Sequence, residues 1–495
     1  MIVKIPVERL TIDFLKDFLI ANPNVQIKEK AKRKITKTNK ILKNAVEKGN
    51  LIYGVNTGFG ALVNKKISLA EAKKLQHNLI ISHALGEGEY FKKEIVKLAI
   101  FLRANMLAKG YSGVRIELIL KLLELLNREI IPCVQKKGSV GASGDLAPLA
   151  QIALVLLGKG KVFYKNKIQP TEEVFKKEKI QPLILDVKEG LSLINGTEMM
   201  SAFLTQLLIE GEKIFNLAKE LAGLTTVVAK GNKKEFDLRL HRLKPYSHQI
   251  SAAEKIWNYL NLAIFKESHL QDPYSIRCQP QILGTVGEGI EFGKRILETE
   301  INSITDNPII IDKEILSGGN FMGSSLALAG DVLAISFTLL SLLSERKIFY
   351  LTAGKIPDLP IFLIKNPGLN SGLMMAQILS SALAGENKTL SYPASVTSLP
   401  TSANQEDIVS MGMNSLLKLE RILENTKTIL AIEILCISQG LKLGNFKFKK
   451  NTSLIAMIKE NIPYLEKDEE LSEILTKIKK LFLERINPPN TDTIN

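Results

Sequence analysis

KKGSVGASGDLAPL, residues 136–149, is the stretch around which the rest of the chain is organised. Gly138, Gly141 and Gly144 recur with short side chains between them, and the apolar run that follows contains Pro148. Glycine admits backbone angles and close approaches that a side chain forbids, so the pattern predicts a tight loop running into a helix. Asp145 stands where it can cap that helix at its start near Leu146. A phosphate cradle uses similar ingredients, because successive amides at a helix start bind anions. The spacing is neither G-x-G-x-x-G after a strand nor a glycine run ending in Gly-Lys-Ser/Thr, so both nucleotide fingerprints fail.

Composition bounds the remainder. The 495 residues are 45% hydrophobic and 24% charged, which is the balance of a folded chain with a substantial core. A formal net charge of +15 raises the question of nucleic acid, but the basic residues are spread along the chain. The densest run, residues 28–43, holds Lys28, Lys30, Lys32, Arg33, Lys34, Lys37, Lys40 and Lys43 with no aromatic residue among them. It reads as the solvated face of an exposed helix, and no nucleic-acid partner is expected. Cys133, Cys278 and Cys436 are odd in number and show no ligand spacing, so neither a disulfide framework nor a metal site is indicated, and a reducing cytoplasm fits. The opening residues lack the pattern of a secretory signal. Residues 333–343 are apolar but short for a membrane span, with Asp331 before and Glu345 after, so no membrane association is expected.

In chain order, residues 2–7 predict a short strand and residues 11–19 a helix. Helical periodicity returns over 70–81, 92–108 and 114–130, the last with an apolar stripe of Leu118, Ile119, Leu122, Leu123, Leu125 and Leu126. Residues 161–169 predict a hairpin turning around Asn166. Long helical patterns then cover 198–221, 251–270, 287–304, 326–351, 371–383 and 405–441. Strands and helices do not alternate regularly and no repeat is visible, which argues against a parallel sheet or a solenoid. The expected fold is mainly α, a long-helix bundle with a loop-rich N-terminal region (1–200) followed by the bundle and C-terminal helices (201–495), with minor β hairpins. Polar groups gather in loops at 53–60, 82–88, 138–145, 195–197, 271–280, 317–321 and 398–407, where a rigid scaffold can assemble a site.

Small residues in the opening loop permit a second chemistry. With no side chain on Gly144, a bent loop can press its nitrogen onto the Ala142 carbonyl. Loss of water from that ring and from Ser143 then leaves a methylidene-imidazolone, an electrophile made from the chain itself. GSVGASGDLAPLA resembles the signature of the aromatic amino acid ammonia-lyases, the family that contains histidine, phenylalanine and tyrosine ammonia-lyases and related aminomutases. YGVNTGFG at 53–60, EGLSLINGT at 189–197, QDPYSIRCQPQ at 271–281 and SGGNF at 317–321 resemble further family elements in family order. The resemblance runs from about Leu51 to Leu443.

This resemblance implies the helical fold of the ammonia-lyase and fumarase type and an enzyme that removes ammonia and a β-hydrogen from an amino acid. No external cofactor is implied, only the group formed from Ala142, Ser143 and Gly144 with Asp145 taking part. Substrate amine adds to that electrophile, and nitrogen leaves attached to a conjugated ring. Tyr53 is implied as base for the β-hydrogen, from a phenol whose ordinary pKa is about 10. Arg277 suits the substrate carboxylate because a guanidinium fork meets two oxygens at once. Asn195, Gln271 and Tyr274 can hydrogen-bond near the amine, the ring system and the carboxylate. The family further implies a homotetramer whose active sites combine loops from more than one subunit.

Two positions resemble those that face an imidazole in the histidine-type members, His83 and Glu406. A carboxylate accepts an imidazole N–H, whereas a phenyl ring would leave its charge unpaired, and phenylalanine and tyrosine enzymes usually carry Gln at the position of Glu406. Phe321 and Met374 would line the ring pocket. Met322-Gly323 and Ile408 depart from the pattern, since histidine-type members typically have His at both places, and the Met-Gly pair resembles tyrosine-type bacterial members. The expected reaction is elimination of ammonia from L-histidine to give trans-urocanate, with Glu406 an alternative base to Tyr53. A phenylalanine or tyrosine ammonia-lyase, or an aminomutase, shares the electrophile. A basic binding protein without the cyclised loop is the contrasting class.

Overall fold

These periodicities become eighteen α-helices among residues 2–483, the residues that the computed structural model describes, with 59% helix and 9% strand. Residues 484–495, the end of the expected C-terminal region, lie outside the described residues. Four helices run 22 to 32 residues: Glu198–Val228, Gln279–Glu300, Ser324–Thr352 and Gly412–Leu443. The chain divides into two compact units. The first comprises Met1–Gln206, Gly293–Asp331 and Pro393–Leu417, the second Leu207–Phe292, Val332–Tyr392 and Lys418–Asn495.

The first unit begins with the short strand expected at 2–7, which takes a partner that the sequence does not signal. Ile2–Ile5 and Asn24–Ile27 pair in parallel, with the helix Ile12–Ala21 as the crossover that a parallel pair requires. Thr11 starts that helix by accepting the Phe14 amide on its hydroxyl at 3.1 Å, and Asn22 ends it in the left-handed region. The pairing is confined to two strands of four residues, too short to leave a clear alternation. Lys161–Tyr164 and Lys167–Pro170 form the expected hairpin, turning through Lys165 and Asn166 with φ of 47° and 61°, the handedness of a two-residue β turn.

Lys93–Ala108 is buried on nearly every side from Ile95 onward, and it carries Arg103 into the core. A charge taken out of water is tolerated only when its donors are all engaged. Arg103 meets that demand: it donates to the Ser192 carbonyl, to the Asn195 carbonyl at 2.9 Å and to Glu198 at 2.8 Å. Beside it, Lys188 and Asp306 form a second buried ion pair at 2.6 Å, shared with the Ser192 hydroxyl. Residues 188–198 are therefore pinned by charge inside the unit.

The second unit is built mostly from helices, including Ser247–Leu262, Met374–Leu390, Ser453–Asn461 and Leu471–Phe482. Lys347 and Glu433 pair at 2.6 Å with neither side chain exposed, and the Thr225 hydroxyl donates to the same carboxylate. The apolar pattern at 333–343 belongs to the longer helix Ser324–Thr352, which is long and apolar enough by composition to cross a membrane, yet 72% of its most apolar window is buried within the protein.

Removing one member of the Arg103–Glu198 pair leaves the other buried and unpaired. Arg103→Met is expected to cost about 3–5 kcal/mol, read as a lowered denaturant midpoint; a midpoint equal to wild type would show that the pair does not hold residues 192–198.

Candidate active site

The opening loop lies where the pinned segment ends. Gly144 bridges Gly196 in parallel, and the Asp145 amide donates to the Gly196 carbonyl at 2.7 Å. A Cβ on Gly144 would stand 2.0 Å from that carbonyl oxygen, and its φ of 80° is left-handed, so only glycine fits. Ser143 is also left-handed at φ 51°, a conformation that strains an ordinary residue by about 1–3 kcal/mol. Gly141 faces the other wall: a Cβ there would lie 2.0 Å from the Ser410 hydroxyl, while Met411 donates its amide to the Val140 carbonyl at 2.8 Å. Ala142 packs among Ala394, Val409 and Met411. The three residues are thus buried or half-buried, bent, and held from both sides, a geometry suited to bringing the Gly144 nitrogen towards the Ala142 carbonyl.

Asp145 does not cap the helix that follows it. Ala147–Leu156 starts without a side-chain cap, after Leu146 at φ 48°. The carboxylate turns instead to the start of Glu198–Val228 and accepts the Met199 and Met200 amides at 2.5 and 3.0 Å. Burial and the nearby Glu198 charge push its carboxyl well above the ordinary range, against the pull of the two amides and Arg103.

Two further loops of the first unit meet. Tyr53 is half-buried, not free at the surface, and its hydroxyl accepts the Gly60 amide at 3.2 Å. Gln76 ties this loop to the pinned segment, donating to the Gly54 carbonyl at 2.9 Å and accepting the Leu191 amide at 3.0 Å. At the loop's far end the Ala61 amide donates to the Ser402 hydroxyl at 3.3 Å, four residues before Glu406. Glu406 lies on a loop: the helix expected from 405 starts at Gly412, because Ser402, Ala403, Asn404 and Met411 all have positive φ. Its carboxylate accepts the Thr401 hydroxyl at 2.7 Å.

His83 ends the helix Leu69–His83 rather than standing in a loop, and a 2.9 Å hydrogen bond joins its Nδ1 to the Ser82 hydroxyl. Burial holds its imidazole below the usual range, and this is offset in part by the Leu79 carbonyl and by the negative charge of Glu406. The charge of Glu406 therefore reaches the imidazole of His83, the other residue read as imidazole-facing. The chain after His83 pairs, at Glu87 and Tyr90, with Lys137 and Gln135, directly ahead of the opening loop. Asn195 is buried and donates to the Asn307 carbonyl at 3.3 Å. Phe321 and Met322 are half-buried beside Gly323.

Within the second unit, Tyr274 and Arg277 stand on a four-residue helix, Tyr274–Arg277, instead of an open loop. With the Gln271 amide turned so that its oxygen faces the guanidinium, Arg277 donates to it at 2.8 and 3.2 Å. Arg277 also donates to the Asp272 carbonyl at 3.0 Å and covers the Tyr274 ring, 4.6 Å from its centroid. Tyr274 and Gln271 are exposed. Below them Glu235 accepts the Asp272 amide; burial pushes its carboxyl up to about 7, against that donation and with the help of the Asp272 charge. Met374 is the half-buried first residue of Met374–Leu390. Arg103, Glu198 and Gln76 escaped the sequence reading, although a lone Arg in the apolar run IFLRANMLA was a signal for a buried, paired charge.

A long-helix scaffold that bends an Ala-Ser-Gly loop against a charge-pinned corner is the build of a carbon–nitrogen lyase. Residues 10–460 match the aromatic amino acid lyase family, and the chain belongs to that family. A histidine ammonia-lyase of Vibrio cholerae is 42% identical over 460 residues, covering 90% of this chain and 89% of that protein. Among solved structures, a histidine ammonia-lyase from Trypanosoma cruzi is 34% identical with a TM-score of 0.87, over 97% of this chain and 93% of the other. A Pantoea agglomerans phenylalanine aminomutase is 30% identical with a TM-score of 0.91, over 98% and 99%. Backbone likeness therefore runs across the family's chemistries.

Because a carboxylate favours the charged imidazole, Glu406→Gln is expected to lower the His83 pKa further. Nuclear magnetic resonance titration of the five histidines reads this directly, and an unmoved His83 would separate the two side chains.

Proposed function

We propose that this lyase eliminates ammonia from L-histidine to give trans-urocanate. The observation that carries the reading is the negative charge of Glu406 reaching the His83 imidazole, in a chain whose relatives include histidine ammonia-lyases at about 40% identity. The backbone at 142–144 suits a methylidene-imidazolone, since it is bent at Ser143 and Gly144 and has no room for a side chain at Gly144. That group, once formed by cyclisation and loss of two waters, supplies an electrophile for the substrate amine and so makes nitrogen a competent leaving group.

Everything else falls to ordinary side chains. Asp145, with its carboxyl raised, can hold or release a proton next to the cyclising residues. Tyr53 takes the β-hydrogen. Arg277 binds the substrate carboxylate with the fork that in the free chain meets Gln271, and Tyr274 and Asn195 add hydrogen bonds. Glu406 accepts the imidazole N–H and His83 lies alongside, while Phe321 and Met374 flank the ring. Rejection of a phenyl ring follows from the unpaired carboxylate it would leave, which at a buried site is worth orders of magnitude in specificity. Met322 and Ile408 favour the second reading, phenylalanine or tyrosine as substrate.

Purified protein incubated separately with L-histidine, L-phenylalanine and L-tyrosine decides between these by ultraviolet absorbance of the conjugated product. Histidine turnover is expected; turnover of the other two without histidine would overturn the reading, and chromatography of products detects a β-amino acid from an aminomutase. In the same assay Tyr53→Phe is expected to lose nearly all activity while its intact mass still shows two waters lost, and near-normal turnover would remove Tyr53 as base.

We also propose a cytoplasmic homotetramer with shared active sites. Leu270 is 96% exposed next to Gln271, and Val396, Leu399 and Ile408 are at least 61% exposed around the Glu406 loop, apolar surface beside site residues that neighbouring subunits would cover. Light scattering is expected to return a mass of four chains, and a stable, active monomer would refute the assembly.

A further inference from the structure

The lysine-rich run at 28–43 is not simply a solvated face. Its helix, Glu29–Glu47, buries Ala31, Ile35, Thr38, Leu42 and Val46 on one side. Lys30, Arg33, Lys34 and Lys37 recur at i, i+3, i+4 and i+7, so they share another side two turns long. This second side borders a cavity of about 680 Å³ in the first unit, with Lys28 at its rim and Lys109 entering from the end of Lys93–Ala108. None of the candidate catalytic residues lines it.

Six cations thus surround one space, and its only lining carboxylate is the exposed Glu8. Among the described residues none of the six forms an ion pair with a carboxylate. Lys34 instead lies over the Tyr111 ring, 3.3 Å from its centroid, and Lys109 donates to the Asn302 carbonyl at 2.5 Å. Like charges held together without counter-charge repel, and low-dielectric walls concentrate their field on whatever anion enters. The floor is apolar, from Val7, Ala31 and Ala108.

We propose that this cavity binds a small organic polyphosphate, its phosphates held by Lys30, Arg33, Lys34 and Lys37 and its remaining part seated on the apolar floor. The charge count decides against a simple carboxylate, which would neutralise one cation of six. Reach decides against a single phosphate, because the first and last of the four helical cations are about 10 Å apart along the axis and a phosphate chain spans more of that than one group does. The Tyr111 ring, covered by Lys34, decides against a nucleic-acid strand, which needs bare aromatic faces for its bases. The site is independent of the lyase reading.

Calorimetric titration of the full chain at low salt with ATP, tripolyphosphate and inorganic phosphate tests this. ATP and tripolyphosphate are expected to bind saturably, to weaken as salt rises, and to exceed inorganic phosphate by roughly tenfold or more. Arg33→Gln/Lys37→Gln, changes at exposed positions, should lose roughly tenfold or more in affinity, while the remote Lys176→Gln/Lys177→Gln protein should match wild type. Tighter binding of ATP than of tripolyphosphate identifies a nucleotide as the occupant, and equal binding identifies the phosphate chain alone. No saturable heat up to about 1 mM ligand, unchanged affinity in Arg33→Gln/Lys37→Gln, or an equal loss in the remote pair would overturn the proposal.

Discussion

Arg103 is a guanidinium buried to 2% exposure in the middle of an otherwise apolar helix, and the candidate site depends on how that charge is accommodated. A charge in such a place costs several kcal/mol unless its donors are matched, so the groups that match it are fixed with little freedom. Those groups are two carbonyls, of Ser192 and Asn195, and one carboxylate, of Glu198. They bracket Gly196, whose own Cβ position would lie 2.3 Å from the guanidinium. Gly196 in turn receives Gly144 and the Asp145 amide, so the bent loop at 141–145 rests on a segment that the ion pair holds.

How much of this the sequence disclosed varies with the range of the interaction. The bend at 141–144 was legible because positive φ is a local property and glycine announces it. The partner of Asp145 was not, because capping a helix that starts 53 residues later leaves no mark on neighbouring residues. The same holds for Glu406, where hydrophobic periodicity runs smoothly back to 405 while Met411, in the left-handed region, precedes a helix that starts only at Gly412. Of the parallel pair, Ile2–Ile5 was legible as a short strand, while its partner Asn24–Ile27 was not, because four residues are too brief to establish a period. Arg103 was missed although its apolar surroundings were plain.

The residues proposed for selectivity and those proposed for reactivity are held differently in this chain. The 138–145 loop is held by backbone hydrogen bonds and by the absence of side chains at glycines, which admit almost no variation. His83, Glu406, Phe321 and Met322 are half-buried side chains at the end of a helix or on loops, where a substitution alters contacts without disturbing the corner. A family that performs several reactions on one backbone is consistent with that separation, as the TM-scores against a lyase and an aminomutase illustrate.

The placement of Asp145 on the first turn of Glu198–Val228 also has a consequence for the order of events in the life of the chain. In the folded chain the environment that raises the Asp145 carboxyl includes the first turn of that long helix, the Glu198 charge and the enclosed Arg103. Ring closure as proposed would then be a maturation step available only to chains that have finished folding. Misfolded copies would remain chemically inert, so that the protein inspects its own fold before acquiring the means to react.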